Sequence, residues 1–194
     1  MDLGSLNSLL REIQRKAPGR RILIFGSSSL LASFPDVPPE QIGVAVTLDA
    51  DFFLDPDDEA VRLDLHDTLG KNHEYHAATG HYGDFVDLRL SESFPDGWRA
   101  RLVPMPGFED VLALEPVDMA VTKVAATARS RWTRRMGRGG VDRGMKDIRT
   151  IAALIRGGRM DHAVLQKRLQ GMDYEPALIV ECAQVMREIE ALLA

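Results

Sequence analysis

Residues 22–25, "ILIF", are apolar at every position, and Gly26 closes the run. A strand covered on one face alternates apolar and polar residues, whereas a strand buried on both faces reads as an unbroken apolar run. The chain is therefore expected to hold a sheet whose central strand is covered on both sides. Gly26 breaks that strand, and Ser27, Ser28 and Ser29 offer caps for a short helix carrying Leu30 and Leu31.

A second strand is written differently. In "VTLDADFFL" the even positions are Val46, Leu48, Ala50, Phe52 and Leu54, and the odd positions are Thr47, Asp49, Asp51 and Phe53. That is strand alternation with two carboxylates on one face. Residues i and i+2 of a strand lie about 6–7 Å apart, so the two like charges repel, and Asp is a poor strand former. Such a pair needs a compensating partner.

Elsewhere the elements follow from ordinary signals. Leu3, Leu6, Leu9, Leu10 and Ile13 have amphipathic helical spacing. "DPDDEAVRLDLHDTLG" reads as a helix capped by Asp55 or Asp57 and stopped by Gly70. "DFVDLRL" reads as a strand, and "RLVPM" and "DVLAL" as short strands compatible with sheet edges. From Pro116, which suits a first helical position, helices follow: "VDMAVTKVAATARSR", "DRGMKDIRTIAALIR", "DHAVLQKRL" and "EPALIVECAQVMREIEALL". The expected class is α+β, a sheet-containing core at residues 1–115 followed by a helical region at 116–194.

No apolar run reaches the roughly 18–20 residues of a membrane span. Cys182 is the single cysteine, so no disulfide framework exists. Without a signal-peptide pattern, a cytoplasmic location is expected. The net charge of −5 conceals an asymmetry. Between residues 129 and 146, Arg129, Arg131, Arg134, Arg135, Arg138, Arg143 and Lys146 face only Asp142, giving +6 and leaving −11 on the rest. Gly137, Gly139, Gly140 and Gly144 make the middle of this basic arm a loop, suited either to solvent or to phosphate and nucleic acid. His73, His76 and His81 lack the closed ligand set of a zinc site and read as surface or core histidines. Trp98 reads as a turn anchor and Trp132 as a loop aromatic.

A buried strand ending in Gly-Ser directs backbone N–H groups and hydroxyls past its end, as a phosphate site requires. Two carboxylates on a neighbouring strand suit Mg²⁺, which takes carboxylate and phosphate oxygens. "FGSS" followed by "LDADFF" resembles the Gly-Ser … Asp-x-Asp signature of the DNA-polymerase-β-like nucleotidyltransferase superfamily. "FPDGWRARLVPM" and "LALEPVDMAVTKVAA…MKDIRTIAALI" are similar to minimal bacterial members related to the toxins of abortive-infection toxin–antitoxin pairs. The similarity spans residues 22–154. The gap between Ser27 and Asp49, with its prolines, and the segment ahead of Lys146 are both longer than that family's pattern.

The resemblance implies a mixed-sheet nucleotidyltransferase core that moves a nucleoside monophosphate from a triphosphate to RNA or protein. It makes Gly26 and Ser27 triphosphate contacts, with Asp49 and Asp51 as ligands of Mg²⁺ or Mn²⁺. A third carboxylate is expected from an adjacent strand: Asp87, inside the apolar run 85–90, with Asp84 as the competitor. Lys123 would contact phosphate, and Lys146-Asp147 matches the family's Lys-Asp pair. An antitoxin protein is the implied partner. The alternative is a non-catalytic module of this fold that binds nucleic acid or a partner protein.

Overall fold

The computed structural model describes residues 1–44, 47–138 and 145–194. They divide into two compact units, one of residues 1–93 with 97–115 and the other of residues 94–96 with 116–194.

The first unit is built on the expected central strand. β1 (Arg21–Phe25) buries Ile22, Leu23 and Ile24 almost completely. It pairs antiparallel with β2 (Asp49–Asp55) and parallel with β5 (Val111–Ala113). β3 (Tyr82–Phe85) lies parallel beside β2, and β4 (Val103–Pro104) antiparallel beside β5. The mixed sheet thus runs β3-β2-β1-β5-β4. Only β4 of the two proline-flanked strands is an edge, because β5 sits between β1 and β4.

On β2 the alternation holds from residue 49 onward. Ala50, Phe52 and Leu54 are buried on one face, and Phe52 stacks near Phe85 at 5.6 Å. Leu48, expected on that face, is outside the strand and 52% exposed. Val46 falls outside the described residues. The other face is not simply polar, since Phe53 is buried and stacks on Phe25 at 4.2 Å.

α1 (Leu3–Lys16) buries Leu6, Leu9, Leu10 and Ile13 on one stripe, and Asp2 caps it by accepting from the Ser5 N–H at 2.7 Å. α2 (Leu30–Ser33) is the short helix after the serines. α3 (Glu59–Leu69) takes its cap one residue past Asp57, the later of the two acids expected to cap it. Asp58 accepts from the N–H groups of Ala60 and Val61, and Gly70 ends the helix. α4 (Glu74–Thr79) was not expected, because none of its residues is buried and no apolar stripe announces it.

The strand expected at residues 84–90 is displaced. β3 begins at Tyr82 and ends at Phe85. Beyond it the Asp87 carboxylate accepts from the Arg89 N–H at 2.9 Å, a two-residue side-chain turn that takes the chain out of extended conformation and into the 3₁₀ turn at Leu88–Ser93.

The second unit is helical: α5 (Pro116–Arg135), α6 (Lys146–Arg156), α7 (His162–Gln170) and α8 (Pro176–Leu193). α5 is tied to each of the others by charge. Its fully buried Asp118 meets Arg168 of α7 at 2.9 Å, and Lys123 meets Asp147 of α6 at 2.6 Å. Arg131 forks onto Glu188 of α8 at 2.6 and 2.9 Å, and Arg135 pairs with Glu181. α5 therefore runs past Arg131, the expected end of its helix, and takes Trp132, Arg134 and Arg135 out of the loop. Residues 139–144, with the rest of the glycines and Arg143, lie outside the described residues. Cys182 is buried, which pushes its thiol up to about 11. Among the described residues no helix is long and apolar enough to cross a membrane.

Removing one partner of a buried ion pair strands the other, at a typical cost of about 3–5 kcal/mol, whereas an apolar pair of similar volume is often tolerated. In urea denaturation, Asp147→Ala should show a loss of this order, and Lys123→Met with Asp147→Leu should recover most of it.

Candidate functional site

The candidate site forms where β1 ends and β2 and β3 run side by side. Gly26 follows β1 with φ of 67°, a left-handed conformation that side chains resist. A Cβ built there would stand 2.0 Å from Oδ2 of Asp51, so the Asp51 carboxylate lies against bare backbone. Phe25 is the β1 partner of Asp51, which explains the approach: the residue after Phe25 turns beneath that carboxylate.

The serines that follow form a 3₁₀ turn, Ser27–Ser29, and all three are buried. Ser29 donates its hydroxyl back to the Gly26 carbonyl at 2.8 Å, and Ser28 donates to the Phe25 carbonyl at 3.4 Å. The Ser27 hydroxyl makes no hydrogen bond among the described residues.

The register of β2 and β3 sets the rest. Asp51 stands opposite Asp84, and Asp49 opposite Tyr82. Partners in neighbouring strands about 4.8 Å apart point to the same face. Asp49, Asp51 and Asp84 therefore share one face, and all three are half-buried. The Asp49 and Asp84 carboxylates make no hydrogen bond or ion pair among the described residues. Burial pushes the Tyr82 phenol up, and the nearby charges of Asp49, Asp84 and Asp51 push it further. Like charges that share a face repel one another, and a hard divalent cation with oxygen ligands is chemistry that relieves such repulsion.

Asp87 is not the carboxylate that the sheet sets beside the pair. It lies two residues past β3, where Arg89 binds it through Nε at 3.0 Å and through its backbone N–H, with Arg62 4.0 Å away. Arg62 also holds Asp57 at 3.0 Å. The Arg89 hydrogen bonds bring the Asp87 carboxyl down to about 2. Asp84 and Asp87 are three positions apart, so a continuous strand would send them to opposite faces, and pairing alone tells which faces Asp51. Tyr82 escaped the sequence reading for the same reason.

Lys123, Lys146 and Asp147 belong to the helical unit. Lys123 is buried and bound to Asp147, while Lys146 is the exposed first residue of α6. Of the weighed histidines, His76 accepts the Asn72 N–H on Nδ1 at 3.0 Å and meets the Tyr82 ring edge-on at 5.0 Å. Trp98 is buried in a 3₁₀ turn under Arg99, 4.6 Å from its ring. Comparison of the chain with protein-family models, with curated proteins and with solved structures finds no match.

Two outcomes check this geometry. Gly26→Ala should destabilise by about 1–3 kcal/mol, combining left-handed strain with displacement of Asp51. In an Asp51→Ala background the same substitution should cost less, leaving mainly the strain. Both are read by urea denaturation. The Asp87 carboxyl, followed by NMR, should titrate near 2 and return toward 3.8 in Arg89→Ala. Because its folded value is depressed, its stabilising contribution is complete above the unfolded value and is lost as pH falls from about 4 toward 2.

Proposed function

We propose that the chain is a metal-dependent nucleotidyltransferase with a polymerase-β-like core, moving a nucleoside monophosphate from a nucleoside triphosphate to a hydroxyl of RNA or protein. The observation that supports this reading is the β2–β3 register, with Asp84 beside Asp51 on the face that also carries Asp49. Gly26 and a Ser27 hydroxyl without a partner among the described residues adjoin them.

In this reading Asp49, Asp51 and Asp84 hold Mg²⁺ or Mn²⁺. When bound, the ions supply charge neutralisation for the triphosphate. Ser27 and the backbone after Gly26 hold phosphate oxygens. Asp84, on the edge strand, accepts the proton of the attacking hydroxyl. The hydroxyl oxygen bonds to the α-phosphorus, and the bond to pyrophosphate breaks. Lys123 is already held by Asp147, so its phosphate role rests on the sequence resemblance alone, as do those of Lys146 and Asp147. The same resemblance extends the proposal to a toxin whose antitoxin is a protein partner.

The basic arm carries less of the reading than its sequence charge suggests, since Arg131 and Arg135 are paired within their own unit.

The test is incubation with each α-labelled ribonucleotide, cell RNA and cell protein. Label should enter one acceptor class, and Asp51→Asn and Asp84→Asn should lower transfer by roughly 10²–10⁴-fold, as removal of acid–base and charge-holding groups does. Asp87→Asn should remain close to the parent protein. Label in no acceptor would favour the non-catalytic module, and a dead Asp87→Asn with an active Asp84→Asn would overturn the register argument.

A further inference from the structure

A second cluster of ligating side chains lies in the sheet unit, on the connection between α3 and α4. His66 and Asp67 occupy the last turn of α3, and His73 is the residue before α4 begins. One ligand atom from each falls within 4.8 Å of the others. The two imidazoles meet edge-on with ring centres 6.3 Å apart, His73 is half-buried, and Asp67 is exposed. Among the described residues none of these three side chains makes a hydrogen bond or ion pair.

The backbone between them is shaped to allow this convergence. Gly70 passes so close beneath His66 that a Cβ would stand 2.2 Å from the His66 carbonyl oxygen and 2.9 Å from its Nδ1. Asn72 has φ of 67°, the single positive value among the described non-glycine residues, and its N–H is held by His76 of α4. Asn accepts that conformation better than most residues. The turn thus brings His73 back over the end of α3.

We propose that His66, Asp67 and His73 bind a divalent transition metal of the zinc class, separate in place and chemistry from the three-aspartate face. Imidazole nitrogens favour zinc, cobalt, nickel and copper, whereas magnesium and calcium prefer all-oxygen surroundings. The C-terminal end of α3 carries the negative pole of its helix dipole, which favours a cation there. Zinc bonds to nitrogen and carboxylate oxygen are about 2.0–2.2 Å long, so closing the trio on one ion takes side-chain movements of about 1 Å. Three protein ligands leave a coordination position for water. The ion clamps the end of α3 to the start of α4, whose chain continues directly into β3.

The experiment uses the full chain, stripped of metal and kept in excess Mg²⁺ so that oxygen sites are masked. Zn²⁺ should bind one per chain and raise the melting temperature, as any ligand of the native state alone does. Co²⁺ should give visible absorption bands of a nitrogen-ligated ion. Both signals should be lost in His66→Ala and in His73→Ala, weakened in Asp67→Asn, and kept in His162→Ala and in the Asp49→Asn, Asp51→Asn, Asp84→Asn triple variant. Absence of binding to the parent protein would overturn the proposal, as would retention in the two histidine variants or loss in the triple variant. Should a histidine variant misfold, imidazole NMR of the parent protein decides. Zn²⁺ must shift the rings of His66 and His73 among the five histidines, and a shift confined to the other three would overturn the assignment.

Discussion

The Asp51 carboxylate rests on the bare Cα of Gly26, and the candidate site depends on that contact. It arises from pairing, since Phe25 opposite Asp51 brings the next residue under the carboxylate. Any side chain at position 26 would have to occupy the space that Asp51 uses. The turn after β1 and the acidic face of β2 are therefore one device, and the parallel addition of β3 extends it by setting Asp84 next to Asp51. Three strands contribute, and their backbone ladders set which residues stand opposite one another.

The helical unit is organised by a different force. α5 exposes little apolar bulk, burying Ala120, Ala125 and Ala128 together with Val117, Val121 and Val124. Small residues let neighbouring helices approach, and charge then ties them: Asp118 to α7, Lys123 to α6, and Arg131 and Arg135 to α8. The Asp118 and Lys123 pairs are the buried ones, and breaking such a pair is costly because it strands the other charge. Arginines that read as an outward-facing basic arm thus partly serve the interior logic of their own unit, where Arg131 also holds the Glu188 carboxyl below its usual range.

Much of the fold was legible where one element carries its own signal. The apolar run of β1, the stripe of α1, Pro116 at the head of α5 and Asp161 capping α7 each state a structure locally. So does the α+β class, with strands giving way to helices. What stayed hidden depended on partners. α4 buries nothing, and the end of β3 is decided by Asp87 folding back onto Arg89, a competition between side chain and ladder that strand propensity does not register. The Asp49 and Asp51 pair was visible as alternation, but its third member required the pairing of two strands. The convergence of His66 with His73 was hidden too, since it needs the close passage at Gly70.

The sheet's outer strands are unusually brief. β3 has four residues with a glycine and a carboxylate among them, and β4 has two, one of them Pro104. A long flat edge offers a ladder of unpaired amides to any other chain, and Pro, charge and brevity are the ordinary defences. The Asp87 turn that stops β3 early therefore shortens the surface on which a second molecule could add a strand. The residue that lies off the acidic face thus also sets how much of that edge is extended backbone.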